Sequence, residues 1–382
     1  MGFIEELDSL CPKNIVFNDI TGNLVYYGYP GIAIIKKTNK EHKNYHHNLA
    51  NLKGQIYEAY ICEILYNLAK DNERINKIVL KGPYVKQKEI LTGFGYDKNR
   101  IIYFSFDEQI AEFDELFFFN GKLVFVEITT TTSGSIIMKN FVNDIKKKTK
   151  LLMELFDFEE VYSLVVTPKK INSLKFKELS NCVNWVIPNV KKIDHLISKL
   201  SKKNQSIKIV YGNNFIKVDE LETKKLAINK RRMTLFRKFM NLVNYKISKE
   251  DFFLEYSKHW WCVNRIYLGS IPNDKIKEFI INDFINSNDF QLKVENYKKI
   301  VFGVKLEPNS KPMFECYLIP NKEYISKFEA FQWKDGNFMK RKSVIKKSTI
   351  LRIVKPEIIP NDKQFWKKIT NLCEIVEIPE FY

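Results

Sequence analysis

The chain has 382 residues, and 45% of them are hydrophobic, which excludes an intrinsically disordered protein. The length exceeds one typical core and predicts two or three domains. The net charge of +17 favours a polyanionic partner, either a nucleic acid or an anionic membrane surface, although a lysine-rich genome-wide composition would give the same excess. No apolar run reaches the roughly 18 residues of a membrane-spanning helix, so we expect nucleic acid and no membrane as partner.

The cysteines are scattered along the chain and form no CxxC pair, which argues against zinc fingers and against a disulfide framework. The N-terminal segment is acidic and lacks the basic and then apolar order of a secretory signal. We therefore expect an intracellular protein without a disulfide-linked partner.

In the first half of the chain, the sequence predicts the elements of a mixed α/β core with a central sheet. Residues 1–50 are typical of small strands and turns, with the apolar run GIAIIKK among them, and Thr38–Asn51 is polar and predicts a loop. The further predictions are a helix over Leu52–Lys70, strands over Ile78–Lys81 and Ile101–Phe106, a hairpin over Phe113–Thr130, a helix over Ile137–Phe156, a strand over Val161–Thr167, and a helix, a strand and another helix over 171–200.

Beyond Gly212, basic and aromatic residues dominate. Leu221–Tyr245 and Lys249–Asn286 are predicted to be helical, and residues 290–382 strand-rich, with a hairpin across Lys334–Asn337. The predicted organisation is an N-terminal extension (1–50), an α/β core (51–212), a basic, aromatic helical region (213–288) and an α+β C-terminal region (289–382). The predicted nucleic-acid contacts are Lys230, Arg231, Arg232, Arg237 and Lys238, which recur along the first of these helices.

The sharpest local signal is the Asn120–Gly121 pair between two apolar runs, because Asn-Gly is the preferred sequence of a two-residue hairpin turn. Counting outward from this turn places Asp114 directly opposite Glu127, on one face of the sheet, and places Glu115 on the other face. Two carboxylates held in an apolar strand environment repel each other, and a cation between them removes the conflict. Oxygen ligands of this kind suit Mg²⁺ or Mn²⁺.

These residues resemble the PD-(D/E)XK nuclease superfamily over about 54–170, a motif set of a helix Glu, a strand Asp and a Glu on the paired strand. The matching segments are Gly54–Glu58, Glu112–Asp114 and Val126–Thr129. The resemblance implies a mixed central sheet with flanking helices, followed here by the basic helical region and a small β-containing C-terminal region. It implies a metal-dependent endonuclease acting on DNA or RNA, with Mg²⁺ or Mn²⁺ held by the side chains of Glu58, Asp114 and Glu127 and by the carbonyl of Ile128.

The helix that carries Glu58 has an apolar stripe made of Cys62, Leu65 and Ala69, so Glu58 is predicted to lie half-buried against the sheet. Glu63 lies on a different face of the same helix and is predicted to be a surface acid.

The chain departs from the family pattern at Thr129, where the family has a lysine. Some members place the lysine on the following helix, which favours Lys139 or Lys147 as the catalytic lysine here, with Lys146 and Lys148 as alternatives. Viral cap-snatching endonucleases are similar in this respect, so an RNA-directed enzyme of that type is an alternative. The missing strand lysine also fits a decayed nuclease core that only binds nucleic acid, and an interaction protein that is basic through composition alone stays open as well.

Overall fold

The computed structural model describes residues 2–13, 23–38, 41, 43–86, 92–97, 99–105, 108–130, 135–188, 197, 199–205, 207, 212–243, 246–263, 265–272, 297–305, 313–320, 327–328, 331–334, 337–340 and 345–346. The chain divides into two compact units, Met1–Leu226 and Ala227–Tyr382. The predicted domain boundaries at 50, 212 and 288 stay predictions.

The first unit is a mixed α/β structure, as predicted from the order of its elements. Its helices are α1 (Phe3–Ser9), α2 (Gly31–Lys37), α3 (Lys43–Asp71), α4 (Ser135–Phe156) and α5 (Leu174–Lys177), with short 3₁₀ turns at Gly82–Tyr84 and Val218–Glu220. Its strands are β1 (Ile75–Val79), β2 (Thr92–Asp97), β3 (Arg100–Ser105), β4 (Glu108–Phe113), β5 (Glu115–Phe119), β6 (Lys122–Ile128), β7 (Tyr162–Thr167), β8 (Cys182–Val186) and β9 (Phe215–Ile216).

A six-stranded mixed sheet in the order β8-β7-β6-β5-β1-β9 forms the centre of this unit. Strands β6, β7 and β8 run parallel, whereas β5 is antiparallel to both β6 and β1. Alternate residues such as Phe117, Val124 and Leu164 join one hydrophobic core with α1, α2 and α3, and α4 packs on β7. Burial on both faces explains why these central strands are continuous apolar runs rather than alternating ones.

The predicted hairpin turn and its register are confirmed. Asn120 and Gly121 have φ values of 48° and 76°, the left-handed conformation that a two-residue turn of this type requires. Phe119 pairs with Lys122, and Glu115 pairs with Val126, as counting from the turn predicted.

The start of the predicted hairpin differs from the prediction, which placed Asp114 within its first strand. Strands β2, β3 and β4 form a separate three-stranded antiparallel sheet, and the backbone bends at Asp114 before it enters β5 in the central sheet. Asp114 therefore lies at a junction between two sheets, a position that a continuous apolar pattern does not reveal.

The prediction of strands and turns over residues 1–50 is wrong for the described part, which contains α1, α2 and the start of α3. The run GIAIIKK forms α2 because Ile32 and Ile35, at helical spacing, are both buried and α2 packs against α3. The polar segment predicted as a loop is helical from Lys43, since its polar residues lie on the solvent side of α3.

The second unit contains α6 (Ile228–Val243), α7 (Lys249–Tyr256) and strands β10 (Arg265–Pro272), β11 (Tyr297–Lys305), β12 (Met313–Pro320), β13 (Lys327–Phe328), β14 (Phe331–Lys334), β15 (Asn337–Lys340) and β16 (Ile345–Lys346). The predicted hairpin at Lys334–Asn337 is confirmed by the pairing of β14 with β15. The predicted helix over 249–286 is wrong over Arg265–Pro272, because this β-branched and aromatic segment pairs with β11. The predictions for 189–196, 273–296 and 347–382 lie outside the described residues.

Two findings concern membrane-spanning helices and cysteines in the described part of the chain. None of its helices is long and apolar enough to cross a membrane. The cysteines whose side chains are described, Cys11, Cys62, Cys182 and Cys262, are all free thiols.

Candidate active site

The bend at Asp114 brings this residue beside the end of β6. Its backbone N–H donates to the carbonyl of Val126 at 3.3 Å, and its carboxylate oxygen Oδ2 accepts from the backbone N–H of Ile128 at 2.6 Å. The Asp114 carboxylate is thereby fixed next to Glu127, the residue between these two partners. Both carboxylates line an open cavity of about 330 Å³, which is the proximity that the hairpin register predicted.

Glu127 is bound by a lysine from the following helix. Its side chain is buried, and both of its carboxylate oxygens lie 2.7 Å from Nζ of Lys148 on α4. Lys148 is only 5% exposed and also lies 2.8 Å from Asp144, one helical turn earlier. A buried ammonium group thus bridges two acids at the wall of the cavity.

The other lysines proposed from the sequence are placed differently. Lys147 donates to the backbone carbonyl of Ile110 at 2.9 Å, and Lys146 is exposed. The side chain of Lys139 lies outside the described residues. Among the described candidates, Lys148 is the helix lysine that reaches Glu127.

Glu58 approaches from α3 and is half-buried, on the stripe where Cys62, Leu65 and Ala69 are buried, as predicted. Its Oε1 lies 2.8 Å from Nζ of Lys81, a lysine that stands two residues beyond the end of β1 and is 1% exposed. The thiol of Cys62 donates to the carbonyl of Asp114 at 3.8 Å, which ties α3 to the bend.

These six side chains form what we call the carboxylate–lysine cluster: Glu58, Lys81, Asp114, Glu127, Asp144 and Lys148. The charges of Glu58, Lys81 and Lys148 act on Asp114, and the charge of Asp114 acts on Glu127, so Asp114 joins the two ion pairs. Four carboxylates face two ammonium groups, and the cluster carries two uncompensated negative charges when every group is ionised.

Burial is the main cause of the raised pKa values of the carboxyl groups in this cluster. It raises the pKa of Asp114 to about 7, helped by the charge of Glu58 and opposed by Lys81 and Lys148. It raises the pKa of Glu127 to about 8, opposed mainly by Lys148. Near neutral pH, protons would therefore compete with a metal cation for these carboxylates. Binding of the cation would become more favourable as the pH rises and the carboxyl groups lose their protons.

Glu115 and Tyr66 form further hydrogen bonds next to the cluster. Glu115 pairs with Val126, as predicted, and its buried carboxylate accepts from the Tyr66 hydroxyl at 3.1 Å. Burial raises the pKa of Glu115 to about 8. The Tyr66 hydroxyl in turn accepts from the backbone N–H of Lys81 at 2.9 Å, so this tyrosine fixes the lysine that binds Glu58.

The prediction that Glu63 is a surface acid is wrong. Glu63 is 1% exposed, and its carboxylate accepts from Tyr27 at 2.9 Å, from Tyr84 at 2.6 Å and from Asn23 at 3.0 Å. Burial raises its pKa, and these donors oppose the shift. Helical spacing did not predict this burial, because α3 is covered on a second side by the segment around Tyr27. An acid outside the main apolar stripe of α3 is therefore enclosed as well.

Within the described residues, no three His, Cys, Asp or Glu side chains meet closely enough to hold a metal ion as they lie. The chemistry of the cluster nonetheless fits a hard divalent cation, since Asp114 and Glu127 offer carboxylate oxygens to one cavity and the cluster has excess negative charge. Asp114 and Glu127 are the residues that would hold it, after Lys148 has released Glu127.

The predicted nucleic-acid contacts on α6 divide into two groups. Lys230 and Arg237 are exposed and Lys238 is partly exposed. Arg231 instead lies over the ring of Trp261, 4.6 Å from its centroid, and Arg232 is only 5% exposed. Burial removes Arg232 from the candidate surface.

Comparison with known proteins yields no match: no family model, no curated protein and no solved structure is similar to this chain.

Proposed function

We propose that this protein is a metal-dependent nuclease and that the carboxylate–lysine cluster is its active site. The observation that carries the proposal is one cavity lined by two carboxylates, the half-buried Asp114 and the buried Glu127, together with the buried ammonium group of Lys148. Metal-dependent hydrolysis of a phosphodiester uses carboxylates to bind the cation and a positive group to stabilise the phosphate, and this cavity offers both. Groups with raised pKa values at a cavity wall are typical of active sites.

The residues of the chain have separate roles in this proposal. Asp114 and Glu127 would hold Mg²⁺ or Mn²⁺, which would supply Lewis acidity and an acidic water. Lys148, once separated from Glu127, faces the phosphate and stabilises negative charge that develops on it. Glu58 and Lys81 orient the neighbouring part of the substrate. The order of helix acid, junction acid, strand acid and helix lysine supports the resemblance to PD-(D/E)XK nucleases.

A nucleic-acid-binding protein with an inactive core is the second candidate. It is favoured by the ion pairs, because both oxygens of Glu127 are bound by Lys148 and Glu58 is bound by Lys81. In this candidate the lysines act as permanent counterions, and no cation is needed.

Glu127→Gln separates the two candidates. We expect metal-dependent cleavage of single- and double-stranded DNA and RNA by the wild type, and a loss of at least about 100-fold in the variant, since the amide keeps the shape but removes a metal-binding charge. The matched control is Glu160→Gln, an exposed acid paired with Lys122, which should leave cleavage unchanged.

Thermal unfolding gives a second readout that is independent of cleavage. Mn²⁺ should raise the melting temperature of the wild type more than that of Glu127→Gln, because a ligand of the folded state stabilises it by mass action. The rise should grow between pH 6 and pH 8, as Asp114 and Glu127 lose their protons. A wild type that shows neither cleavage nor stabilisation by Mn²⁺ would leave the inactive binding protein as the explanation.

A further inference from the structure

A second cavity, of about 240 Å³, lies on the Glu58 side of the carboxylate–lysine cluster. Glu58 and Lys81 line it, so the cluster extends from one cavity to the other. The two cavities differ in charge. Acids outnumber cations in the first, whose charged wall residues are Glu112, Asp114, Glu127, Asp144 and Lys148. In the second, the two cations Lys81 and Arg100 outnumber the one acid, Glu58.

The size of the second cavity limits its ligand. Ligand sites commonly have volumes of roughly 300–1,000 Å³, so this cavity holds a single monomer unit rather than a duplex or a folded chain. Part of its wall is rigid: the ring of Tyr27 packs directly on Gly82, where a Cβ atom would collide with it, and the Tyr27 hydroxyl is bound to Glu63. Pro30 contributes an apolar surface.

Its polar groups match the two halves of a nucleotide. Gln55 and Asn99 line the cavity with side-chain amides, which both donate and accept as base edges do. Asn99 is held in place by its hydrogen bond to the carbonyl of Gly28 at 3.1 Å. Arg100 is held by Asp97 and, at 2.7 Å, by Glu112, and Lys81 is held by Glu58, so a phosphate would compete with these carboxylates for the two cations.

We propose that the second cavity binds one unpaired nucleotide of the substrate and that the enzyme therefore acts on single-stranded nucleic acid. This inference rests on the proposed nuclease function. The base lies among Gln55, Asn99 and Pro30, and its phosphate points to Lys81 and Arg100. The next phosphate along the strand then reaches Asp114, the residue that couples both ion pairs. A base inside a duplex cannot enter without being unpaired, which costs a few kcal/mol.

The test uses two variants on the same helix. Gln55→Trp places an indole at the cavity, at an exposed position where folding is not at risk, and Ala50→Trp adds the same group at an exposed position that does not line it. We expect the wild type and Ala50→Trp to cleave a single strand at least about tenfold faster than the blunt duplex of the same sequence. Gln55→Trp should lose at least about tenfold on the single strand.

A direct measurement of nucleotide binding tests this inference independently of the proposed nuclease function. Calorimetric titration with nucleoside 5′-monophosphates in EDTA should give saturable binding to the wild type and to Ala50→Trp, and none to Gln55→Trp. If nothing is cleaved but this binding pattern holds, the nuclease proposal fails and the nucleotide site stands. If single and double strands are cleaved equally, or if the two tryptophan variants behave alike in both assays, the inference is overturned and the nuclease proposal is untouched.

Discussion

Removing the ammonium group of Lys148 is the most direct perturbation of the cluster, and Lys148→Met does so with little change in shape. Nζ of Lys148 is bound to both oxygens of Glu127 at 2.7 Å and to Asp144 at 2.8 Å. In the variant, Glu127 stays buried without its counterion. Breaking a buried ion pair by removing one partner costs about 3–5 kcal/mol, so we expect the free energy of unfolding to fall by that amount at pH 9.

The loss should depend on pH in a defined direction. The folded-state pKa of Glu127 is raised to about 8, so the stability that its protonated form contributes is complete below the unfolded pKa of about 4.3 and is lost as the pH rises through 8. Without Lys148 this pKa rises further, and the variant continues to lose about 1.4 kcal/mol per pH unit above 8, where the wild type no longer does. Near pH 6, Glu127 is protonated in both proteins, and only the loss of charge-assisted hydrogen bonds remains, about 2 kcal/mol.

Urea unfolding, followed by tryptophan fluorescence at pH 6 and at pH 9 without divalent cations, measures both values. The matched control is Lys150→Met on the same helix, since Lys150 is half-exposed and its bridge to Glu154 is 3.4 Å long. That variant should change the stability by no more than about 1 kcal/mol at either pH. Equal losses in the two variants, or a loss for Lys148→Met that is the same at both pH values, would refute the reasoning.

Two further predictions concern other parts of the chain. Gly82→Ala should destabilise the protein by about 2–4 kcal/mol, because the residue has a positive φ and its new Cβ atom would collide with Tyr27. Gly121→Ala should lose only about 1–2 kcal/mol, because Gly121 has a positive φ but open space around it. Urea unfolding compares the two variants, and equal losses would contradict the packing of Tyr27 on Gly82. In the second unit, replacing both exposed residues Lys230 and Arg237 with Ala should reduce the slope of log K against log salt for a nucleic acid by about 1.5, and an unchanged slope would exclude them from the interface.

Local rules of chain geometry account for what the sequence predicted well. The Asn120–Gly121 turn fixes the register of β5 and β6 within a few residues, so the proximity of Asp114 and Glu127 followed from counting. The half-buried position of Glu58 likewise followed from helical spacing on α3. Each of these inferences needed only neighbours along one strand pair or one helix.

The remaining parts of the site depend on contacts between distant segments. Lys81 was not recognised, because a lysine after a short apolar strand is usually exposed, and only its packing against α3 brings it to Glu58. The Asp144–Lys148 spacing of four residues was a readable signal, since such pairs are neighbours on a helix, but it did not tell which lysine faces the sheet. The enclosure of Glu63 depends on Tyr27 and Tyr84, which lie far from it in sequence.

The composition of the cluster itself argues for a chemical role over a purely structural one. Buried ion pairs contribute little net stability compared with well-packed apolar side chains of similar volume, because desolvation offsets most of the attraction. A core that served stability alone would have no use for Asp114 and Glu127, whose raised pKa values indicate that each charge is unfavourable where it lies. In the proposed function, a cation that enters the cavity would relieve this unfavourable energy and would free Lys148 to act on an anion. The desolvation and repulsion of the two carboxylates thus favour cation binding at the proposed site.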